Sequence, residues 1–90
     1  MIEQILAERE GKYGSFRDHA KISQELKRAI FRHMDKVSKV ELNFYQSEAI
    51  EMICHKIARI VNGDPDYADS WVDIAGYATL VAERLNNASK

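Results

Sequence analysis

The sequence predicts an all-α fold made from a single domain. Apolar residues recur three and four positions apart through most of the chain, and no stretch alternates apolar and polar residues as a half-buried strand does. A length of 90 residues supports one core, near the lower limit for a chain without disulfides. We therefore expect one domain, residues 1–90, with a short N-terminal helix followed by three longer helices in a bundle that oligomerisation completes.

The first two helices are predicted from an apolar segment, two glycines and a capping serine. Ile2 and Ile5 predict one or two helical turns, and the glycine-containing segment 11–16 predicts the first loop. Ser15 has the side chain and position to cap a second helix, which we expect to end near Asp35.

The last two long helices are predicted to form a hairpin. Ser38 and Glu41 have the spacing of a capping box, which predicts the start of the third helix. Gly63 predicts a left-handed stop, and Asp64 with Pro65 predicts the cap and first residue of the fourth helix. The predicted core stripes of these two helices are Leu42, Ala49, Ile50, Ile53, Ile57, Ile60 and Val61, and Trp71, Ile74, Ala75, Ala78, Val81, Ala82 and Leu85.

Composition limits the classes of partner. With 46% hydrophobic and 30% charged residues the chain is of the ordinary globular type, and a net charge of −1 does not favour nucleic acid or anionic lipid. No signal-peptide pattern and no run of about 18 apolar residues is present, so we expect no membrane partner. The single cysteine, Cys54, excludes an internal disulfide, predicts a buried small residue and suits the cytoplasm.

Acidic residues on the two hairpin helices are the main functional signal. Glu48 and Glu51 lie on the third helix, and Asp69 and Asp73 on the fourth. Carboxylates that face one another repel unless a divalent cation lies between them. The pattern predicts a site for Mg²⁺, with Mn²⁺ as a substitute, in which these four residues are the ligands.

Structural interpretations of the same residues remain open. Asp64, Asp66 and Asp69 would also be stabilised by the positive end of a helix dipole, and Glu51 with His55 fits an ordinary surface pair. His19 and His33 have no partners at metal-ligand spacing, and His55 is interpreted as a helix-surface residue.

The third helix has apolar residues on its polar side as well as on its core stripe. Phe44, Tyr45 and Met52 share that side with Arg59, which a purely solvated helix face would not favour. We therefore expect this helix to be covered on two sides, by another helix or by a second subunit.

Three segments carry a resemblance to known families. They are the lengths Glu48 to Pro65 and Asp69 to Tyr77, and the segment KYGSF at positions 12–16. Together they resemble small phage and prophage proteins of uncharacterised function, and more distantly the MazG-like all-α nucleotide pyrophosphohydrolases. The resemblance implies a homo-oligomer, either a dimer or a tetramer, in the cytoplasm of a host cell.

The MazG-like resemblance implies cleavage of nucleoside triphosphates to monophosphate and pyrophosphate with magnesium. Its E-x-x-E motif matches Glu48 and Glu51. Its second motif, E-x-x-D, is matched by Asp69 and Asp73 at a spacing of four, or by Asp66 and Asp69 at a spacing of three. The departure in the second motif leaves catalysis less supported than nucleotide binding.

The resulting hypothesis assigns roles to named residues. Glu51 and Asp73 would be catalytic, orienting the attacking water, while Lys56 and Arg59 would bind the phosphates. Lys12 and Tyr13 would close over the nucleotide, with the tyrosine stacked on the base. Two alternatives are a non-catalytic binder, either a nucleotide sponge or a helical module that binds a host protein, and a purely structural oligomer.

Overall fold

The structure, a computed structural model, describes residues 1–37 and 40–88. Its elements in chain order are α1 (Ile2–Tyr13), α2 (Phe16–Lys36), α3 (Phe44–Asn62) and α4 (Ala68–Ala88). Within those residues there is no strand, and no helix combines the length and apolar character needed to cross a membrane. The all-α fold and the packing of α4 against α3 are as the sequence predicts.

The first helix is longer than predicted. Residues 11–13 belong to α1, because a glycine inside a helix costs only about 1 kcal/mol and does not by itself end it. The helix ends instead at Gly14, the one described residue with positive φ, at 76°. Ser15 caps α2 as predicted, since its Oγ accepts a hydrogen bond from the backbone N–H of Asp18 at 3.2 Å.

The start of α3 corrects the sequence interpretation. The helix begins at Phe44, so Glu41 is not in its first turn, and Ser38 lies outside the described residues. Asn43 and Gln46 form the capping box: the Gln46 N–H donates to Asn43 Oδ1 at 2.9 Å, and the Asn43 N–H donates to Gln46 Oε1 at 3.0 Å. Asparagine is as good an N-cap as serine, so two capping patterns competed and the later one prevailed.

The turn between α3 and α4 also differs from the prediction. Gly63 has φ −130°, so it is not a left-handed stop, and α4 begins at Ala68 rather than at Pro65. Asp64 closes a turn instead of capping the helix, because its Oδ1 accepts from the Asp66 N–H at 2.9 Å. Its backbone oxygen accepts from the Tyr67 N–H at 3.2 Å.

The core lies around α3, which packs against each of the other three helices. Cys54 is buried, as expected, and so are Ala49, Ala58 and Ile60. These residues lie on different sides of α3, but Phe44, on the polar side that was also predicted to be covered, is 96% exposed. However, the predicted core stripes are incompletely covered: Val61 is 65% exposed and Trp71 is 55% exposed.

Candidate functional site

The four predicted metal ligands lie in different environments. Glu48 and Asp69 are exposed, whereas Glu51 and Asp73 are half-buried. Asp69 accepts a hydrogen bond from the hydroxyl of Tyr67 at 2.8 Å, two residues before it in the chain. Its oxygen is therefore engaged locally, at the start of α4.

Asp73 pairs with a residue that was predicted to bind phosphate. Its Oδ2 lies 2.9 Å from Lys56 Nζ, and the lysine side chain is only 10% exposed while that of the aspartate is 45% exposed. A buried ammonium group requires an anionic partner, since desolvation of an unpaired charge costs several kcal/mol. Lys56 therefore neutralises Asp73 between α3 and α4, and it is not among the residues that line the cavities beside Arg59.

The described residues of one chain do not gather three or more of the predicted magnesium ligands. Among residues 1–37 and 40–88, no group of three or more Asp, Glu, His or Cys side chains is placed to hold a metal ion. All four predicted ligands belong to that part of the chain. Asp73 is held at the contact of α3 with α4 by Lys56, and Glu48 lines a cavity between the same two helices, whereas Asp69 is exposed at the start of α4.

The other predicted binding residues do come together, at the junction of the α1–α2 turn with the end of α3. Asn62 holds this junction: its Nδ2 donates to the backbone oxygens of Tyr13 at 2.9 Å and of Ser15 at 3.0 Å. The Asp64 N–H donates to the backbone oxygen of Lys12 at 2.7 Å. These three bonds join segments far apart in the chain and fix the position of Lys12 and Tyr13.

Two glycines allow the backbones of this junction to approach closely. At Gly14 a methyl group would overlap the backbone oxygen of Asn62, in addition to the strain of its positive φ. At Gly63 it would overlap the backbones of Lys12 and Tyr13. Only glycine fits at either position. The close approach of the two backbones therefore depends on a glycine in each of the two segments.

Cationic and aromatic side chains stack above this junction. The Arg59 guanidinium lies 4.2 Å from the centroid of the Tyr13 ring, and Lys12 Nζ lies 5.0 Å from that of Tyr67. The two tyrosine rings meet edge to face at 6.0 Å. Within the described residues, neither Arg59 nor Lys12 has a carboxylate within ion-pair distance. Their charges are balanced by π-faces and water, which leaves them available to an anion.

The stack borders a cleft between α1, α2 and α3. A cavity of about 240 Å³ adjoins a second depression of about 190 Å³, and both are lined by Arg9, Tyr13 and Arg59. Lys12 lines only the smaller of the two. The larger cavity is lined by Leu6, Arg9, Glu10, Tyr13, Gly14, Phe16, His19 and Arg59. We call the two together the α1–α3 cleft. The cleft is lined by three cationic side chains, Arg9, Lys12 and Arg59, and by two carboxylates, Glu8 and Glu10. The ring of Phe16, which is 81% exposed, lies at its edge.

A histidine pair lies beside the cleft, and His19 is the member of the pair that lines it. His19 is 5% exposed, and its Nε2 lies 3.2 Å from Nδ1 of His55, with the rings edge to face at 4.4 Å. One ring donates and the other accepts, so the accepting ring is neutral when the bond is made. The interpretation of His55 as a surface residue is therefore wrong. Its partner lies on another helix, which spacing along α3 does not reveal.

Burial controls the protonation of this pair. It lowers the pKa of His55 to about 4, with additional repulsion from His19 and Arg59, and burial followed by Arg59 also lowers the pKa of His19. His19 Nδ1 and the hydroxyl of Ser23, one turn later on α2, have no hydrogen-bond partner among the described residues. Near neutral pH, His19 therefore adds polarity to the cleft without adding charge.

Sequence reasoning missed three residues of the cleft. Arg9 was given no role, Phe16 was placed in the loop predicted for residues 11–16, and His19 was set aside for want of partners at ligand spacing. The single available signal was the pair of glycines that flank the junction, Gly14 and Gly63, which indicate close approach of two backbones.

Comparison with known proteins gives one family. Comparison with curated proteins and with solved structures found no matching protein. Residues 2–85 match the family described as a domain of unknown function, DUF6378. Since that match covers nearly the whole chain, the protein belongs to the DUF6378 family.

Proposed function

We propose that this protein binds a nucleotide in the α1–α3 cleft, with Arg59 and Lys12 contacting the phosphates. The observation that supports this most is the Arg59 guanidinium stacked on Tyr13 without a carboxylate partner in the described chain. Such a guanidinium presents donors in a fixed fork that matches a phosphate group. Arg9, which lines both parts of the cleft, supplies the third cation.

The aromatic residues favour a nucleotide over a simple phosphate. Phe16 has an open ring face at the edge of the larger cavity, and the Arg59 guanidinium plane provides a second stacking surface. Tyr13 was predicted to stack on the base itself, but one of its faces is covered by Arg59. In this proposal Tyr13 supports the arginine and Phe16 stacks on the base. The resemblance to phage and MazG-like proteins supports the same ligand class.

Calorimetric titration without added metal tests the binding proposal. The panel is ATP, GTP, their deoxy forms, the matching monophosphates and inorganic pyrophosphate. Arg59→Gln is expected to weaken nucleotide binding at least tenfold, about 1.4 kcal/mol, because it removes a charge-assisted contact. Arg28→Gln, an equal change at an exposed position of α2, is the matched control and should leave affinity unchanged.

Two further outcomes decide the ligand class. Phe16→Ala should weaken nucleotides but not pyrophosphate, since the ring contacts only the base. Equal binding of pyrophosphate and nucleotide by the wild-type protein would show that phosphate alone is recognised. Absence of heat at millimolar concentrations of every ligand would reject the proposal.

Magnesium-dependent pyrophosphohydrolysis is the second candidate. It is supported by the E-x-x-E match at Glu48 and Glu51, and by Asp73, whose carboxylate stays 45% exposed despite its pairing with Lys56. Because one chain does not gather the acids, this activity requires a homo-oligomer in which a second copy supplies the remaining ligands. It also implies a cytoplasmic location, where nucleoside triphosphates are present.

Pyrophosphate release separates the two candidates. With magnesium or manganese and a panel of triphosphates, a hydrolase would show turnover that Glu51→Gln and Asp73→Asn abolish. Stoichiometric binding without turnover, unchanged by either substitution, would identify a non-catalytic binder such as a nucleotide sponge. On the geometry of the cleft we favour the binder.

A further inference from the structure

Between α3 and α4, on the side away from the α1–α3 cleft, an apolar surface is only partly covered. A groove of about 340 Å³ is lined by Gln46 and by six apolar residues, Leu42, Ala49, Ile50, Ile53, Ala78 and Val81. We call it the α3–α4 groove. No charged residue lines it, and the exposed Ile57 continues the Ile50 and Ile53 stripe along α3. Trp71, 55% exposed, lies one heptad before Ala78 on the same face of α4.

The groove is formed by residues that the sequence predicts to be core, and the other helices of the chain do not fully cover them. The helical periodicity of α3 and α4 predicted both stripes to be buried, and a helix that is apolar around most of its circumference is a buried helix. Yet among the described residues α4 packs against α3 and against no other helix. No described side chain of large volume is fully buried. The fold of one chain therefore stops before its core is complete.

The accessible surface measures how much is missing. The chain has 6911 Å² of accessible area, while a folded monomer of 10.3 kDa is expected to have about 5400 Å². The excess, about 1500 Å², belongs to the whole chain, exposed α1 included, and it is larger than the area of about 1000 Å² that each copy of an obligate homodimer buries at least. The radius of gyration, 15.4 Å against about 12 Å for a compact chain of this length, agrees with an open shape.

We propose that the α3–α4 groove is covered by the same groove of a second copy, giving a four-helix core shared between two chains. A helical hairpin with one apolar face is self-complementary, because a two-fold axis places each stripe against its equivalent. The small side chain of Ala78, which is exposed, allows the second backbone to approach closely. A net charge of −1 per chain offers little repulsion between copies.

The interface and the cleft are independent surfaces. Ile50 and Arg59 are nine residues apart on α3, which places them about 180° apart around the helix. A second copy bound in the groove therefore leaves Arg59 and Tyr13 accessible. Loss of dimerisation and loss of nucleotide binding are consequently separate outcomes.

Sedimentation equilibrium of the full chain tests the proposal. The wild-type protein is expected at twice the chain mass of 10.3 kDa across the micromolar range. Ala78→Glu places a carboxylate in the groove at an exposed helical position that glutamate tolerates, and should weaken dimerisation at least a hundredfold. Ile53→Glu, deeper in the groove, should do the same. Ile2→Glu, at a 61% exposed isoleucine of α1, is the matched control and should remain a dimer.

Two readouts make the result decisive even if a variant is destabilised. Circular dichroism checks that Ala78→Glu remains helical, and the emission of Trp71, the single tryptophan, should shift to longer wavelength when the dimer dissociates. A wild-type monomer at millimolar concentration would overturn the proposal and leave the groove to a different protein. A dimer that survives both groove substitutions with unchanged Trp71 emission would also overturn it, since the copies would then meet elsewhere.

Discussion

Two regions of the molecule are held together by different kinds of interaction. The junction of α1–α2 with the end of α3 is locked by directional bonds, with Asn62 donating twice and Gly14 and Gly63 permitting backbone contact. The α3–α4 groove has no such bonds and consists of apolar side chains that remain half covered. The first region is therefore held by bonds within one chain, whereas the second is only half covered by it.

The largest expected effect is at Gly63. Gly63→Ala would push a methyl into the backbones of Lys12 and Tyr13, and we expect it to lower the free energy of unfolding by about 3 kcal/mol, measured by urea denaturation. Gly11→Ala is the matched control, since nothing lies within 4 Å of the added methyl. It should stabilise the helix by about 0.5–1 kcal/mol. Equal effects at both glycines would contradict a locked junction.

The next effect is at Asn62. Asn62→Ala removes the donors to the backbone oxygens of Tyr13 and Ser15, which are part-buried, and should cost about 2 kcal/mol by thermal or urea unfolding. The same substitution should weaken nucleotide binding, because Tyr13 and Arg59 would lose their fixed relation. Asn86→Ala, at an exposed position of α4, should change neither property. A stable Asn62→Ala variant with normal affinity would show that the bonds are dispensable.

A smaller effect is expected at the α3–α4 ion pair. Asp73→Asn leaves the nearly buried ammonium of Lys56 without an anion and should destabilise the fold by about 1–2 kcal/mol, the half-exposed aspartate limiting the loss. Asp69→Asn, at an exposed residue, should have no measurable effect on stability. If both aspartates are magnesium ligands in an assembled form, magnesium should raise the midpoint temperature of the wild type and of neither variant.

The smallest effect is the pH dependence of the histidine pair. The folded-state pKa of His55, about 4, is below its unfolded value near 6.5, so the unfolded chain binds the proton more readily. Stability should be fully present above pH 6.5 and fall as pH drops toward 4. Discounted for solvent screening, the loss is about 1 kcal/mol.

Substitution of His55, with His33 as the control, tests the source of this pH profile. Urea unfolding of His55→Gln across the same pH range should show a shallower decline than the wild type. His33→Gln, at an exposed residue of α2, should leave the decline unchanged. An identical slope in all three proteins would exclude His55 as its source.

The sequence predicted what depends on local spacing. The Ser15 cap and the apolar periods of α2, α3 and α4 follow from contacts within a few residues, so the all-α fold was accessible. The start of α3 was missed because Asn43 with Gln46 competes with an equally good pattern upstream. The prediction of a left-handed stop at Gly63 was wrong. The backbone of this glycine instead contacts the backbone of Lys12, and the sequence around position 63 does not reveal that contact.

The candidate site was only half predictable. Lys12, Tyr13 and Arg59 were predicted as binding residues and do meet in one cleft. Lys56 was grouped with them although its partner is Asp73, because helical spacing fixes the direction of a side chain but not which helix lies opposite. The His19 and His55 pair is separated by 36 residues, so it appears only when α2 and α3 are packed.

The central claim is that the ligand site lies in the α1–α3 cleft and not among the acids of α3 and α4. Backbone amide chemical shifts measured by NMR during titration with ATP test it directly, first without and then with magnesium. We predict that the shifts cluster at Lys12, Tyr13, Phe16 and Arg59 from the first additions. Shifts confined to Glu48, Glu51, Asp69 and Asp73, and appearing only with magnesium, would contradict the account.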